Sequence, residues 1–188
     1  MAATTSDLSR GAFLRHNGEL VMVMDYTHIT PGKGNAIYTV KSRNIRTGKQ
    51  SEIRFRSGEK IELVRVESRD VQFLYKEGDA LVCMDQESFE QFPVPEELFG
   101  DTLKFIKEGM VLSVSFDENE EIVYGQAPKH VELEVTYTEP GIKGDTATKT
   151  MKPAELETGA TVQVPLFVDN GELIKVNTET GEYMERVK

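Results

Sequence analysis

The chain has 188 residues, of which 38% are hydrophobic and 29% are charged, so folding can bury a core without disulfides. No stretch approaches the roughly 18 apolar residues that a membrane-spanning helix needs, and the first residues lack the pattern of a secretory signal. The only cysteine, Cys83, lies in an apolar run and is expected to be a reduced core residue. These features argue against a membrane protein or a secreted disulfide scaffold, and they predict a cytoplasmic protein.

The net charge of −10 is distributed unevenly along the chain. Residues 1–65 contain 11 Lys and Arg against 6 Asp and Glu, which gives +5. Residues 66–127 contain 4 against 15, or −11, and residues 128–188 contain 7 against 11, or −4. A basic region attached to acidic ones is typical of proteins in which one part contacts nucleic acid. The first third is therefore expected to face phosphates, and the middle third to face solvent or a basic protein.

Strand signals dominate the first half of the chain, as short β-branched or aromatic runs bounded by Gly, Asn, Asp or Pro. Residues 18–25 and 36–44 are two such runs, and the turn residues between them predict a hairpin with Lys33 near its tip. Residues 95–108 have helix punctuation and are expected to be helical, with a possible break at Gly100. Further strands are expected at residues 51–55, 60–67, 71–75 and 80–85.

The second half continues with strands at residues 111–116 and 121–125, which an acidic turn joins into a hairpin. The dipeptide Asn170-Gly171 is the strongest hairpin signal in the chain. The remaining predictions are a loop at residues 139–150 and strands at residues 131–138, 161–168, 173–177 and 183–187.

Boundaries near residues 64–67 and 127–129 divide the chain into three units of about 60 residues, each with about five short strands. The predicted domains are residues 1–65, 66–127 and 128–188. Units of this size and strand content are typical of small β-barrels, either SH3-like or OB-like, so the predicted fold class is all-β.

Residues with catalytic or metal-binding chemistry are sparse. The three histidines, His16, His28 and His130, are scattered without a carboxylate or cysteine at metal-ligand spacing. No nucleophile elbow, phosphate-binding loop or dinucleotide-binding fingerprint occurs. The sequence therefore predicts no catalytic residue, no metal site and no enzyme.

The segment Pro31, Gly32, Lys33, Gly34 is the most informative one for function. The two glycines permit a tight turn with positive φ, and no neighbouring Cβ would bury the lysine side chain. Basic residues follow it along the next strands, namely Lys41, Arg43, Arg46, Arg54 and Arg56. On the residues alone, two interpretations stay open: a solvated basic hairpin, or a lysine probe inserted into a phosphate-lined cleft with arginines on the backbone phosphates.

Several motifs follow one another in order along nearly the whole chain: PGKGNA at 31–36, KSRN at 41–44, FRSGEK at 55–60, YKEGD at 75–79, MDQESFEQ at 84–91, EPGIKGDTA at 139–147, VPLF at 164–167 and IKVNT at 174–178. In this order they resemble the bacterial elongation factor P family. The resemblance implies an SH3-like (KOW-like) first domain followed by two OB-fold domains, in an L-shaped arrangement of tRNA-like outline.

The resemblance also implies a function and partners. Members of that family bind the ribosome beside peptidyl-tRNA and relieve stalling at consecutive prolines, with a loop residue near the CCA end of the tRNA. Lys33 occupies that position here, and in the family this residue is often covalently extended by a dedicated enzyme. Gly144 and Asp145 occupy the positions of a loop near the exit-site codon. Expected partners are the ribosome, its RNA, peptidyl-tRNA and a lysine-modifying enzyme. No membrane contact and no separate cofactor are expected, and the protein is expected to be a monomer.

Two alternatives remain at this point. A general RNA-binding or RNA-chaperone module would need exposed aromatic faces, which Tyr38, Phe55 and Phe73 are the candidates to supply. Its weakness is that the basic residues cluster at one hairpin and that the acidic middle segment would repel a long strand. The second alternative is a paralogue that lacks the modification-dependent role.

Overall fold

The computed structural model describes residues 2–141 and 150–188. Their secondary structure is almost entirely β, with sixteen strands and two 3-10 helical segments, which confirms the predicted fold class. The chain divides into two compact units: Met1–Arg69 with Val114–Gly125, and Asp70–Ser113 with Gln126–Lys188. The division into domains at residues 65/66 and 127/128 stays a prediction. In the ranges described, neither helical segment is long and apolar enough to cross a membrane.

The first sheet has six strands in the order β1-β6-β2-β3-β4-β5. Successive side chains along these strands point to opposite faces of the sheet, and the apolar ones are buried on one face. Val23 and Val40 are fully buried in this core. A 3-10 turn, Thr5–Asp7, follows the first strand. The strands are β1 (Ala2–Thr4), β2 (Phe13–His16), β3 (Glu19–Ile29), β4 (Ile37–Asn44), β5 (Gln50–Arg56) and β6 (Lys60–Val64).

The second sheet has five strands in the order β11-β10-β7-β8-β9. Its strands are β7 (Glu67–Glu77), β8 (Ala80–Asp85), β9 (Gln91–Pro95), β10 (Val111–Phe116) and β11 (Ile122–Gln126). Neighbouring positions for β10 and β11 agree with the predicted hairpin. The predicted helix is present only as 3-10 structure, Glu96–Phe105, which is kinked at Gly100 (φ 54°, ψ −136°). A residue at that φ cannot continue a right-handed helix, so Gly100 separates two short turns.

The third sheet has the order β14-β13-β12-β15-β16, and burial alternates along its central strands except at a register shift between Val135 and Tyr137 in β12. Its strands are β12 (His130–Thr138), β13 (Met151–Leu156), β14 (Thr161–Pro165), β15 (Leu173–Asn177) and β16 (Glu182–Arg186). Leu133, Val164 and Ile174 are fully buried, and Phe105 joins the same core from the 3-10 segment.

The hairpin predicted at Asn170-Gly171 is wrong, because β14 and β15 are not neighbours in this sheet. Asn170 Oδ1 instead accepts the backbone N–H of Thr138 at 2.6 Å, and the Gly171 N–H donates to the Val135 carbonyl at 2.8 Å. Both bonds go to β12, so the turn carries the chain past β12 and lets β15 pair on its far side.

Candidate nucleic-acid interface

The hairpin of β3 and β4 carries Lys33 at its tip, as the sequence predicts. Cross-strand pairing runs without interruption from Asp25 opposite Lys41 to Ile29 opposite Ile37, and residues 30–36 then form the connecting loop. All of residues 30–35 are exposed. Lys33 therefore projects into solvent beyond the last paired residues of the hairpin.

The two glycines beside Lys33 differ in backbone conformation. Gly34 has φ +119°, a region that side-chain-bearing residues rarely adopt, whereas Gly32 lies outside that region. A Cβ added to Gly32 would meet nothing within 4 Å, and one added to Gly34 would meet only Pro31 Cγ at 3.9 Å. The positive φ that the sequence permits at both glycines therefore occurs at Gly34 and not at Gly32.

Cross-strand side-chain pairs stiffen the stem below this loop on both faces. On the core-facing side, the rings of His28 and Tyr38 stack with 4.2 Å between centroids and 12° between planes. On the opposite side, Ile29 and Ile37 face each other and remain 60% and 42% exposed. These pairs extend a defined hairpin beyond the buried core.

Four of the five predicted basic contact residues share one face of the first sheet. Arg54 lies opposite Thr39 and Arg56 opposite Ile37, and the residues between them on β4 and β5 point inward to the core. The face therefore presents Lys41, Arg43, Arg54 and Arg56 together. Arg46 does not belong to this face, since it lies in the turn between β4 and β5. From Ile37 to Arg43 the face extends about 20 Å at the usual rise per strand residue.

Few carboxylates neutralise this basic face. Asp25 lies opposite Lys41 but forms its ion pair with Arg10, and Arg10 Nε lies 2.8 Å from Asp25 Oδ1. The hydrogen bond from Arg10, with help from the Tyr26 N–H, lowers the pKa of Asp25. Arg54 lies 3.7 Å from Glu52, in an exposed pair of little energetic value. Within residues 2–141 and 150–188, Lys33, Lys41, Arg43, Arg46 and Arg56 form no ion pair.

The second predicted contact, Gly144 and Asp145, lies outside the described residues. Sequence reasoning missed a lysine that follows that segment, in β13. Lys152 is buried, and its Nζ donates to the Glu139 carbonyl at 2.6 Å. A Cβ at Gly141 would lie 2.5 Å from the Leu166 carbonyl, so only glycine permits this close approach. A buried lysine in an alternating strand pattern is the signal that could have drawn attention to this place.

Aromatic stacking faces of the kind that a general RNA-binding module uses are scarce among the candidates. Phe55 and Phe73 are 6% and 5% exposed, and so they belong to cores. Tyr38 is half-buried and covered by His28. Over the part of the chain that the structure describes, no three His, Cys, Asp or Glu side chains are grouped to hold a metal ion.

Three family models match successive parts of the chain. Residues 4–61 match the elongation factor P KOW-like domain, residues 66–124 its OB domain, and residues 131–186 its C-terminal domain. Elongation factor P of Chloroherpeton thalassium is 47% identical over 186 residues, which cover 99% of both chains. The chain belongs to the elongation factor P family. Its relatives also include elongation factor P of Roseiflexus castenholzii, at 47% identity over 99% of this chain and 100% of the relative.

Membership in the elongation factor P family makes the chain a translation elongation factor and not an enzyme. Solved structures support the same fold. Translation initiation factor 5A from Methanococcus jannaschii superposes with a TM-score of 0.53 at 20% identity, covering 66% of this chain and 93% of that one. A related factor from Naegleria fowleri gives a TM-score of 0.52 at 16% identity, covering 68% and 98%.

Proposed function

We propose that this translation factor binds the ribosome beside peptidyl-tRNA and promotes peptide-bond formation at consecutive prolines, with Lys33 reaching the CCA end of the tRNA. The observation that carries the proposal is the placement of Lys33, exposed at the end of a hairpin whose stem is stiffened on both faces. A flexible loop would lose its orientation at such a distance from the core, whereas a paired stem holds its tip in one direction.

The proposed mechanism is positional. The proline ring fixes φ and restricts the peptidyl chain, so the reacting ends leave their attack geometry. Holding the donor tRNA in place restores that geometry, and well-oriented reactants can recover several kcal/mol, of order 7 to 11 in favourable cases. The Lys33 ammonium offers three hydrogen-bond donors and a compact charge, and it acts as a strut rather than as a proton carrier.

In this proposal the basic face of the first sheet binds RNA. Lys41, Arg43, Arg54 and Arg56 contact phosphates of the tRNA or ribosomal RNA, and Arg46 contacts them from the adjacent turn. Arginine and lysine contacts to phosphates position a protein without reading sequence, which suits a factor that must accept many tRNAs. The predicted role of Gly144 and Asp145 near the exit-site codon remains part of the proposal, as do the three-domain division and a monomeric, cytoplasmic protein.

A covalent extension of Lys33 by a dedicated enzyme belongs to the same proposal. The lysine is exposed and forms no ion pair with any described residue, so an enzyme could reach its amine. The test is peptide mass spectrometry on protein from growing native cells. Detection of only unmodified Lys33 there would contradict the extension.

The experiment that tests the function is in vitro synthesis of two reporters, one with a run of prolines and one without. The wild-type factor should speed the proline reporter alone. Equal stimulation of both reporters would favour a general RNA-binding module. Co-sedimentation with ribosomes, with and without peptidyl-tRNA, measures binding separately, and we expect the bound fraction to rise when peptidyl-tRNA is present.

A further inference from the structure

One turn construction occurs three times among the residues that the structure describes. In each copy the side-chain oxygen of the first residue accepts the backbone N–H groups of the third and fourth residues at 2.8–3.2 Å. The fifth N–H donates to the first carbonyl, and the hydroxyl of the fourth residue accepts the sixth N–H. The three turns are residues 44–49, 85–90 and 177–182, and each closes a hairpin.

The fifth residue of this turn has a left-handed backbone in all three copies. In two of them it is glycine, Gly48 with φ +70° and Gly181 with φ +71°. In the third it is Phe89, with φ +61°. A bulky residue in this region is a genuine outlier, because its Cβ crowds the backbone. Two of the three turns thus have glycine at the fifth position, and Phe89 departs from that choice.

Burial does not compensate for this conformation. The Phe89 side chain is 69% exposed, and its ring makes no stacking or cation contact with any residue that the structure describes. Two other described residues that are not glycine have positive φ. Asn17 is of a type that tolerates this region, and the side chain of Glu120, unlike the Phe89 ring, has a partner, because its carboxylate accepts hydrogen bonds from Arg69. Folding therefore gives no reason for a phenyl ring at position 89, whereas binding would.

The surroundings of Phe89 indicate the chemistry of a partner. Glu87 and Glu90 flank it in the turn, and Asp70 lies alongside, with its carbonyl accepting the Gln86 N–H at 3.1 Å. All three carboxylate residues are exposed, and none forms an ion pair with a described residue. Negative charge around the ring would repel RNA phosphates and attract a basic protein surface.

We propose that Phe89 is the anchor of a docking surface for a basic protein of the ribosome, with its ring in an apolar pocket and Asp70, Glu87 and Glu90 facing Lys or Arg around that pocket. Aromatic side chains that fill well-packed pockets are typical of interface hot spots, and complementary charge around them favours association with the right partner. The inference rests on the proposed ribosome binding and assigns it a second contact, of opposite charge to the Lys33 hairpin.

The test uses Phe89→Gly, which makes the turn at residues 85–90 identical in kind to the other two. Because glycine relieves the left-handed strain, the melting temperature should equal or exceed that of the wild type. Binding to purified ribosomes should nevertheless weaken by about fivefold or more, the usual cost of losing an aromatic anchor. Tyr75→Ala removes another exposed aromatic from the same sheet and is the matched control, expected to bind as the wild type does.

A photoreactive benzoyl-phenylalanine at position 89 identifies the target on ribosomes. We expect a crosslink to a basic ribosomal protein, and a crosslink to ribosomal RNA instead would overturn the proposal. Wild-type binding by Phe89→Gly would overturn it, and so would a lowered melting temperature, since the ring would then serve the fold. If the wild type itself failed to bind ribosomes, the proposed function would fall together with this inference.

Discussion

His28 and Tyr38 stack face to face immediately below the last paired residues of the Lys33 hairpin, with 4.2 Å between their ring centroids. Tyr26 adds a third ring, with its centroid 6.3 Å from that of Tyr38. The stack lies at the edge of the buried core, so ring stacking holds the two strands together where core packing no longer does. We therefore expect it to control the direction of the Lys33 tip more than the stability of the fold.

The first prediction concerns this stack. His28→Ala should lower the stimulation of the proline reporter, because the tip loses its orientation. It should change the free energy of unfolding by only about 1 kcal/mol or less, since cross-strand pairs contribute about that much. His28→Phe keeps a flat ring and should restore most of the activity. Thr27→Ala, on the exposed face of the same strand, is the control.

The variants are compared by reporter synthesis over a range of factor concentrations. Loss of orientation should reduce the maximal rate while half-saturation stays near the wild-type concentration. If His28→Ala changed only half-saturation, the stack would serve binding and not positioning.

The second prediction is that Lys33→Ala matches the no-factor control on the proline reporter while folding is unaffected. The side chain is exposed at a turn, where substitutions usually alter stability by less than about 0.5 kcal/mol. Lys49→Ala removes an exposed lysine from the turn at residues 44–49 and should keep full activity. Full activity of Lys33→Ala would remove the hairpin tip from the mechanism.

The third prediction separates the two glycines beside Lys33. Gly34→Val should reduce activity strongly, because a β-branched residue at φ +119° costs about 1–3 kcal/mol or forces the tip into another direction. Gly32→Val should retain much more activity, since its backbone is not left-handed and its surroundings are open. Reporter synthesis with both variants decides this point. Equal loss in the two would mean that side-chain bulk at the tip, and not backbone conformation, is what matters.

The central strands and the Lys33 hairpin could be predicted from sequence because alternation and turn residues agree there. Strand β9 was missed for a physical reason: its turn has Phe89 where glycine would have signalled a hairpin, and Pro93 and Pro95 argue against a strand. Those prolines are tolerated because β9 is at the sheet edge. Strand β13 was missed because Lys152 and Pro153 interrupt its apolar pattern.

The candidate site was predictable to a similar extent. Residue spacing alone places Arg54 and Arg56 on one strand face, since they are two positions apart. The register that aligns them with Lys41 and Arg43, and that leaves Arg46 in a turn, depends on cross-strand pairing that one sequence does not specify. The Asn170-Gly171 error has the same origin, because its hydrogen bonds go to a strand more than thirty residues earlier in the chain.

The fourth prediction concerns charge. Arg43→Glu and Arg54→Glu should each weaken binding to ribosome–tRNA complexes and reduce the salt dependence of the binding constant by at least about one unit of log–log slope, since phosphate contacts release counterions. Glu118→Lys, an exposed charge reversal in the acidic segment, should change both far less. Binding is measured at several salt concentrations. A larger effect of Glu118→Lys would place the RNA-facing surface elsewhere.

The fifth prediction follows from burial of Cys83, which raises the pKa of its thiol from the ordinary 9.0 to about 11. The folded state thus favours the neutral thiol, and the associated stability is complete below pH 9 and is lost as the pH rises through about 11. The stability advantage of the wild type over Cys83→Ala should therefore shrink between pH 9.0 and about pH 11, the span of those two pKa values. Urea unfolding of both proteins measures this difference in stability, and the contributions of other titrating groups cancel in it.

At pH 8, iodoacetamide should label the folded protein far more slowly than the urea-unfolded protein, because the thiolate is the reactive form and the folded thiol is enclosed. Rapid labelling of the folded protein, or a constant stability difference across this pH range, would show that Cys83 is not held as a buried neutral thiol.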